Sequence, residues 1–136
     1  MKKIIFLACL ILAVSACTVN EAPEVNTFTE TYTVSVNHWK LAQDDDFGDY
    51  YYYEFREPAL TRDIYERGIL NSYLKIGESL YPLPFDDYWI DKDYRWTEQV
   101  TCEFKPGYIT FILRYNDYKL NEPPHYDYNF LVRFMW

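Results

Sequence analysis

Residues 94–115 read YRWTEQVTCEFKPGYITFILRY, and their alternation decides the fold. Tyr94, Trp96, Val100, Cys102 and Phe104 fall on one face, interrupted only by Glu98. Arg95, Thr97, Gln99, Thr101, Glu103 and Lys105 fall on the other. A period of two with one apolar and one polar face predicts a strand that covers a core on one side. Pro106-Gly107 then gives a tight turn, since proline fixes φ and glycine tolerates φ above zero. Ile109, Phe111, Leu113 and Tyr115 form the apolar face of a returning strand. The whole is a hairpin with one wet face, as in antiparallel sheets with one solvated side.

Working outward, Tyr128 to Trp136 alternates with apolar residues on both faces, which predicts a central strand. Thr27 to Asn37 alternates Phe28, Tyr32, Val34 and Val36 (with Glu30) against a threonine-rich face, and Trp39 and Leu41 continue it after a kink near His38. Residues 44–49, DDDFGD, read as a turn. Tyr50 to Phe55 is the next strand; Tyr51, Tyr53 and Phe55 point one way, Tyr50, Tyr52 and Glu54 the other. Thr61 to Gly68 carries helix punctuation: a threonine cap, an early Asp63, a late Arg67 and a glycine suited to a left-handed stop. Ile69 to Ile76 returns to strand, and Ser79 to Leu83 pairs back. Pro82 and Pro84 confine that return to an edge or a loop. Asp86 to Asp93 reads as an acidic, aromatic loop, and Asn116 to Tyr126 as another loop. About seven strands and one short helix predict an all-β, two-layer antiparallel sandwich, Ig-like or jelly-roll-like. An up-and-down barrel is the alternative.

The amino terminus is of another kind. Lys2-Lys3, an apolar run from Ile4 to Val14, then Ser15-Ala16-Cys17 follow the layout of an export signal. The run is too short for a bilayer-spanning helix of about 20 residues. Val14-Ser15-Ala16-Cys17 resembles the lipobox of bacterial lipoproteins. That resemblance implies cleavage after Ala16 and lipid on the Cys17 thiol, held by more than one acyl chain and therefore firmly anchored. Residues 1–16 are then the signal, 17–26 the lipidated cysteine and tether, and 27–136 the sandwich domain. In such proteins from Bacteroidota, acids soon after the cysteine can direct surface display, and Glu21 and Glu24 are a sparse version. The expected location is the cell envelope, at the outer membrane, on its periplasmic or surface side.

Composition narrows the partners. The formal net charge is -8, and losing Lys2 and Lys3 with the signal makes the chain more acidic still. This argues against nucleic acid, whose phosphates call for Lys and Arg. Aromatic residues make up 21% of the chain, with 15 Tyr and 4 Trp. They favour strands, and tyrosine also suits binding surfaces. The tyrosines at 50–53, Tyr50 and Tyr52 foremost, with Tyr88, Trp89 and Trp96 are a candidate platform for sugar rings, set against the plainer expectation that most of them fill the core.

Catalytic signatures are thin. His38 and His125 sit at a strand end and after two prolines, and read as loop residues rather than bases. Cys102 alternates inward and reads as a small core residue. The spacings offer no zinc set. Asp44, Asp45, Asp46 and Asp49 cluster in one loop and Asp86, Asp87, Asp91 and Asp93 in another. Asp44, Asp46, Asp86 and Asp87 are the calcium candidates, with solvated turns as the plainer account. No cofactor is expected. Glu98, alone among apolar residues, is the acid that stands out.

The order of these segments resembles a family of small Bacteroidota lipoproteins without assigned activity. The segments are VNHWK (36–40), a tyrosine-rich strand, LTRDIYERGILNSYLK (60–75), YPLPF (81–85), KPGYITF (105–111) and a terminal strand. The resemblance spans most of Thr31 to Met135 and implies location and fold, but no catalytic residue. The expected function is therefore non-enzymatic: a lipid-anchored envelope module for structure or recognition, held to the membrane by its anchor. The alternative is a glycan- or peptide-binding module using exposed Tyr and Trp, and a small hydrolase is a third reading.

Overall fold

The computed structural model describes residues 24–92, 94–116 and 124–136. The expected signal, Ala16, Cys17 and the start of the tether lie outside them. Among the described residues nine strands run in chain order: β1 Thr27–Val34, β2 Lys40–Ala42, β3 Tyr50–Arg56, β4 Ile69–Ile76, β5 Ser79–Pro82, β6 Phe85–Asp91, β7 Tyr94–Lys105, β8 Tyr108–Tyr115 and β9 Tyr128–Met135. One helix, α1, spans Arg62–Arg67. The strands form two antiparallel sheets, ordered β1-β9-β4-β5 and β2-β3-β8-β7-β6. The chain is thus an all-β sandwich, not a closed barrel.

The inward faces meet through aromatic rings. Phe111 of β8 stacks on Phe130 of β9 with centroids 3.8 Å apart and planes 7° apart. Tyr32 tilts against Phe55 at 5.0 Å, and Phe104 meets Phe134 edge-on at 6.2 Å. Val34, Ile109, Leu113 and Val132 are fully buried between them. Offset and edge-on ring pairs add about 0.5–1.5 kcal/mol each beyond the area they bury. β9 pairs with β1 and with β4, so its apolar-rich reading as a central strand holds. β5 is an edge strand, as its proline predicted.

Three expectations need correction. Among the described residues the strands number nine rather than about seven. A single 3-10 turn at Val36–His38 breaks the first strand, and β2 crosses into the other sheet to pair with β3. Asp127 holds this crossover, its Oδ1 accepting from the Val36 N–H at 2.8 Å. Residues 86–91, expected as part of a loop, belong to β6, which pairs with β7 in register from Phe85↔Val100 to Asp91↔Tyr94. An edge strand pairs on one side only, so it tolerates acids that a central strand would not.

The third correction concerns Gly68. The helix is capped as expected at its start, where Thr61 Oγ1 accepts from the Ile64 N–H at 3.3 Å. Its end is not left-handed: Gly68 has φ of -83°. Glycine is needed there for closeness instead. A Cβ at Gly68 would lie 2.5 Å from the Ile64 carbonyl oxygen and 3.0 Å from that of Met135. Both are backbone atoms and cannot swing aside. Gly68→Ala should therefore lower stability by about 3 kcal/mol in urea unfolding, the upper end of the usual cost of overpacking. Gly77→Ala, at φ 59° with open space around its Cβ, should cost only about 1 kcal/mol from the left-handed backbone. Equal losses for the two variants would refute the steric account.

Candidate functional site

The candidate site is a cleft at the margin of the sandwich. There β4 and β9 of one sheet face β6 and β7 of the other. It encloses about 310 Å3. Glu98, Asp87, Trp89 and Tyr126 line it, with Lys75 and Asp127 beside them.

The strand register brings the acids together. Asp87 and Glu98 are direct partners across the β6–β7 ladder, and Trp89 is the partner of Trp96. Phe85, Asp87 and Trp89 alternate to the inner face, so an acid and an indole of β6 meet Glu98 of β7. Trp89 and Trp96 lie near-parallel, 6.2 Å apart with planes 8° apart. Tyr126 tilts against Trp89 at 6.1 Å and stacks on Tyr128 at 4.7 Å. The Trp89 Nε1–H is buried and finds no acceptor among the described residues.

Glu98 is only 5% exposed. The Tyr126 hydroxyl donates to its Oε1 at 3.2 Å, and the Tyr128 hydroxyl donates to the same oxygen. Oε2 receives neither bond. Burial disfavours the charged form and pushes the Glu98 carboxyl up to about 7; the Tyr126 hydrogen bond opposes this and the Asp87 charge adds to it. The Tyr126 phenol is itself raised, by burial first and by the Glu98 charge second. Burial and Glu98 likewise raise Tyr115, the partner of Glu98 on β8.

The structure separates the other residues singled out from sequence. Tyr50 and Tyr52 lie on the outer face of β3. Tyr88 lies on the outer face of β6 and is 58% exposed. β8 and β7 stand between them, a gap of about 14 Å at usual strand spacing. Trp89 faces inward, so these four residues do not make one platform. Tyr50 instead carries the Arg114 guanidinium 4.4 Å over its ring. Sequence reasoning marked Glu98 and Trp89 separately and missed Tyr126 and Asp87 as their companions. The alternation of Phe85, Asp87 and Trp89 was the signal for Asp87.

The calcium candidates do not converge. Asp44 Oδ1 accepts from the Asp46 and Phe47 N–H groups, each at 3.0 Å, closing its own turn. Asp86 faces out, where its Oδ1 accepts from Gln99 Nε2 at 3.0 Å, while Asp87 faces in. Asp93 lies outside the described residues. Among those described, no three His, Cys, Asp or Glu side chains gather as a metal site. His38 stacks near Tyr53 at 6.0 Å and is exposed. Cys102 packs against the core, and burial pushes its thiol up to about 12, so it is no thiolate nucleophile at neutral pH.

Comparison with family models, with curated proteins and with solved structures gives no match.

The Glu98 shift has a stability consequence. The folded chain keeps its proton up to about pH 7, while the unfolded chain loses it near 4.5. Between these values the folded state binds more protons, so this group's contribution falls as pH rises and levels off above about 7. Glu98→Gln should remove that slope, worth about 1–3 kcal/mol between pH 4.5 and 8. Urea unfolding at a series of pH values would read it. An unchanged slope in the variant would contradict the shift.

Proposed function

We propose that this chain is a lipid-anchored envelope lipoprotein whose sandwich serves as a recognition module, taking a small polar ligand in the cleft at Glu98. The observation that carries the recognition reading is the lining of that cleft. It combines an indole whose N–H has no acceptor, a phenol and two facing carboxyl groups in one concavity. Small-ligand sites have this make-up: largely apolar walls with a few convergent polar groups. The anchor reading rests on Val14-Ser15-Ala16-Cys17, with Cys17 as the lipid-bearing residue and the outer membrane as its site.

A second reading, a small hydrolase, draws on the Asp87–Glu98 pair, because glycoside cleavage uses two carboxyl groups facing one bond. Binding is favoured over it. Glu98 Oε1 already accepts from two phenols, and its side chain is almost wholly buried. A general acid needs to reach the leaving oxygen, within about 2.6–3.2 Å.

Two measurements test this function. Cells fed an alkyne-tagged fatty acid should label the chain, and Cys17→Ser should abolish both the label and membrane retention. An unlabelled chain that washes free of membranes would remove the anchor. Tryptophan emission of the purified chain should shift on adding a ligand, and Trp89→Phe should lose that response. A response unaltered by Trp89→Phe would move recognition away from the cleft.

A further inference from the structure

The cleft's chemistry restricts its ligand to one class. Asp87, Glu98 and Asp127 outnumber Lys75 among the lining residues. An anionic ligand would meet like charges in a partly dry site, where repulsion is screened least. The carboxyl groups require donors, and a quaternary amine offers none. The indole and phenol faces require a flat apolar surface. A volume of about 310 Å3 lies at the small end of ligand sites, at about 300–1,000 Å3, room for one ring rather than a buried chain.

We propose that the cleft between β4–β9 and β6–β7 binds a neutral pyranose ring. The ring's C–H face lies on Trp89 and Tyr126, and its hydroxyls donate to Asp87 beside Glu98. A pyranose carries hydroxyls that both donate and accept, together with an apolar C–H face. It meets both demands at once. A longer glycan would enter with a terminal ring, the remainder running into solvent past Asp127 and Asn129 at the rim. This inference rests on the recognition reading and adds the ligand's class to it.

The test uses the full chain, purified in a detergent without sugar headgroups. Saturation-transfer NMR is run against separate neutral pyranoses (glucose, galactose, mannose and N-acetylglucosamine), glucuronate and choline. At least one neutral sugar should take up saturation at its ring C–H protons at about 10 mM, a concentration that detects millimolar affinity. Glucuronate should bind at least about tenfold more weakly than that sugar. Asp87→Ala, at a half-buried edge-strand position, should weaken the sugar about tenfold, with its fold verified by circular dichroism. Trp89→Phe should weaken it comparably while retaining a ring. Choline binding with no sugar response would overturn the pyranose and leave the recognition cleft standing. No response from any probe would overturn both. Sugar binding that survives both substitutions would place the ring elsewhere and overturn the assignment.

Discussion

One buried carboxyl group, Glu98, constrains the margin of this sandwich. A carboxylate taken out of water resists ionising unless charge or hydrogen bonds compensate it. Two phenols, Tyr126 and Tyr128, supply part of that compensation, and both bonds go to one oxygen. These bonds tie Tyr126 and the first residue of β9 to β7, and the two rings stack on each other at 4.7 Å.

The packing elsewhere makes this margin distinct. In the middle of the sandwich, Phe111 and Phe130 are in face-to-face contact, and their neighbours are fully buried. Toward β6 the inward positions change from Phe85 to Asp87 to Trp89, and the sheets leave a cleft. A second buried acid, Glu57, shows the contrasting case. Its Oε2 accepts from the Tyr32 hydroxyl at 2.5 Å, and its Oε1 from the Ala59 N–H at 2.9 Å. Both of its oxygens are engaged, and its backbone N–H donates to the Gly107 carbonyl at 2.7 Å. Glu57 ties the β3 end to the β7–β8 turn and belongs to the fold. Glu98 has both phenol bonds on Oε1 and lines the cleft.

Much of the architecture was legible in the sequence where one face was wet. The bounds read for β4 and β7 match the structure, because alternation and turn residues agree there. β6 was not legible: Asp86-Asp87 look like turn residues, and only the pairing with β7 makes them a strand. β2 was hidden because Trp39 and Leu41 read as a continuation of β1 past a kink, although the chain has changed sheets. Glu98 could be singled out, since an acid in an apolar row is conspicuous. Its companions could not. Tyr126 follows two prolines 28 residues away, and Asp87 was read as part of a loop. The tyrosines at 50–53 drew attention by number, yet two of them face outward around Arg114, remote from Trp89.

The direct test of this account is the titration of the Glu98 side-chain carboxyl carbon by 13C NMR. A midpoint near pH 7, with the Tyr126 ring signals shifting in step, is the result expected of a carboxyl group held in a dry aromatic cleft. A midpoint near the ordinary glutamate value of about 4.3 would mean that water reaches it freely, and the cleft as described would not exist.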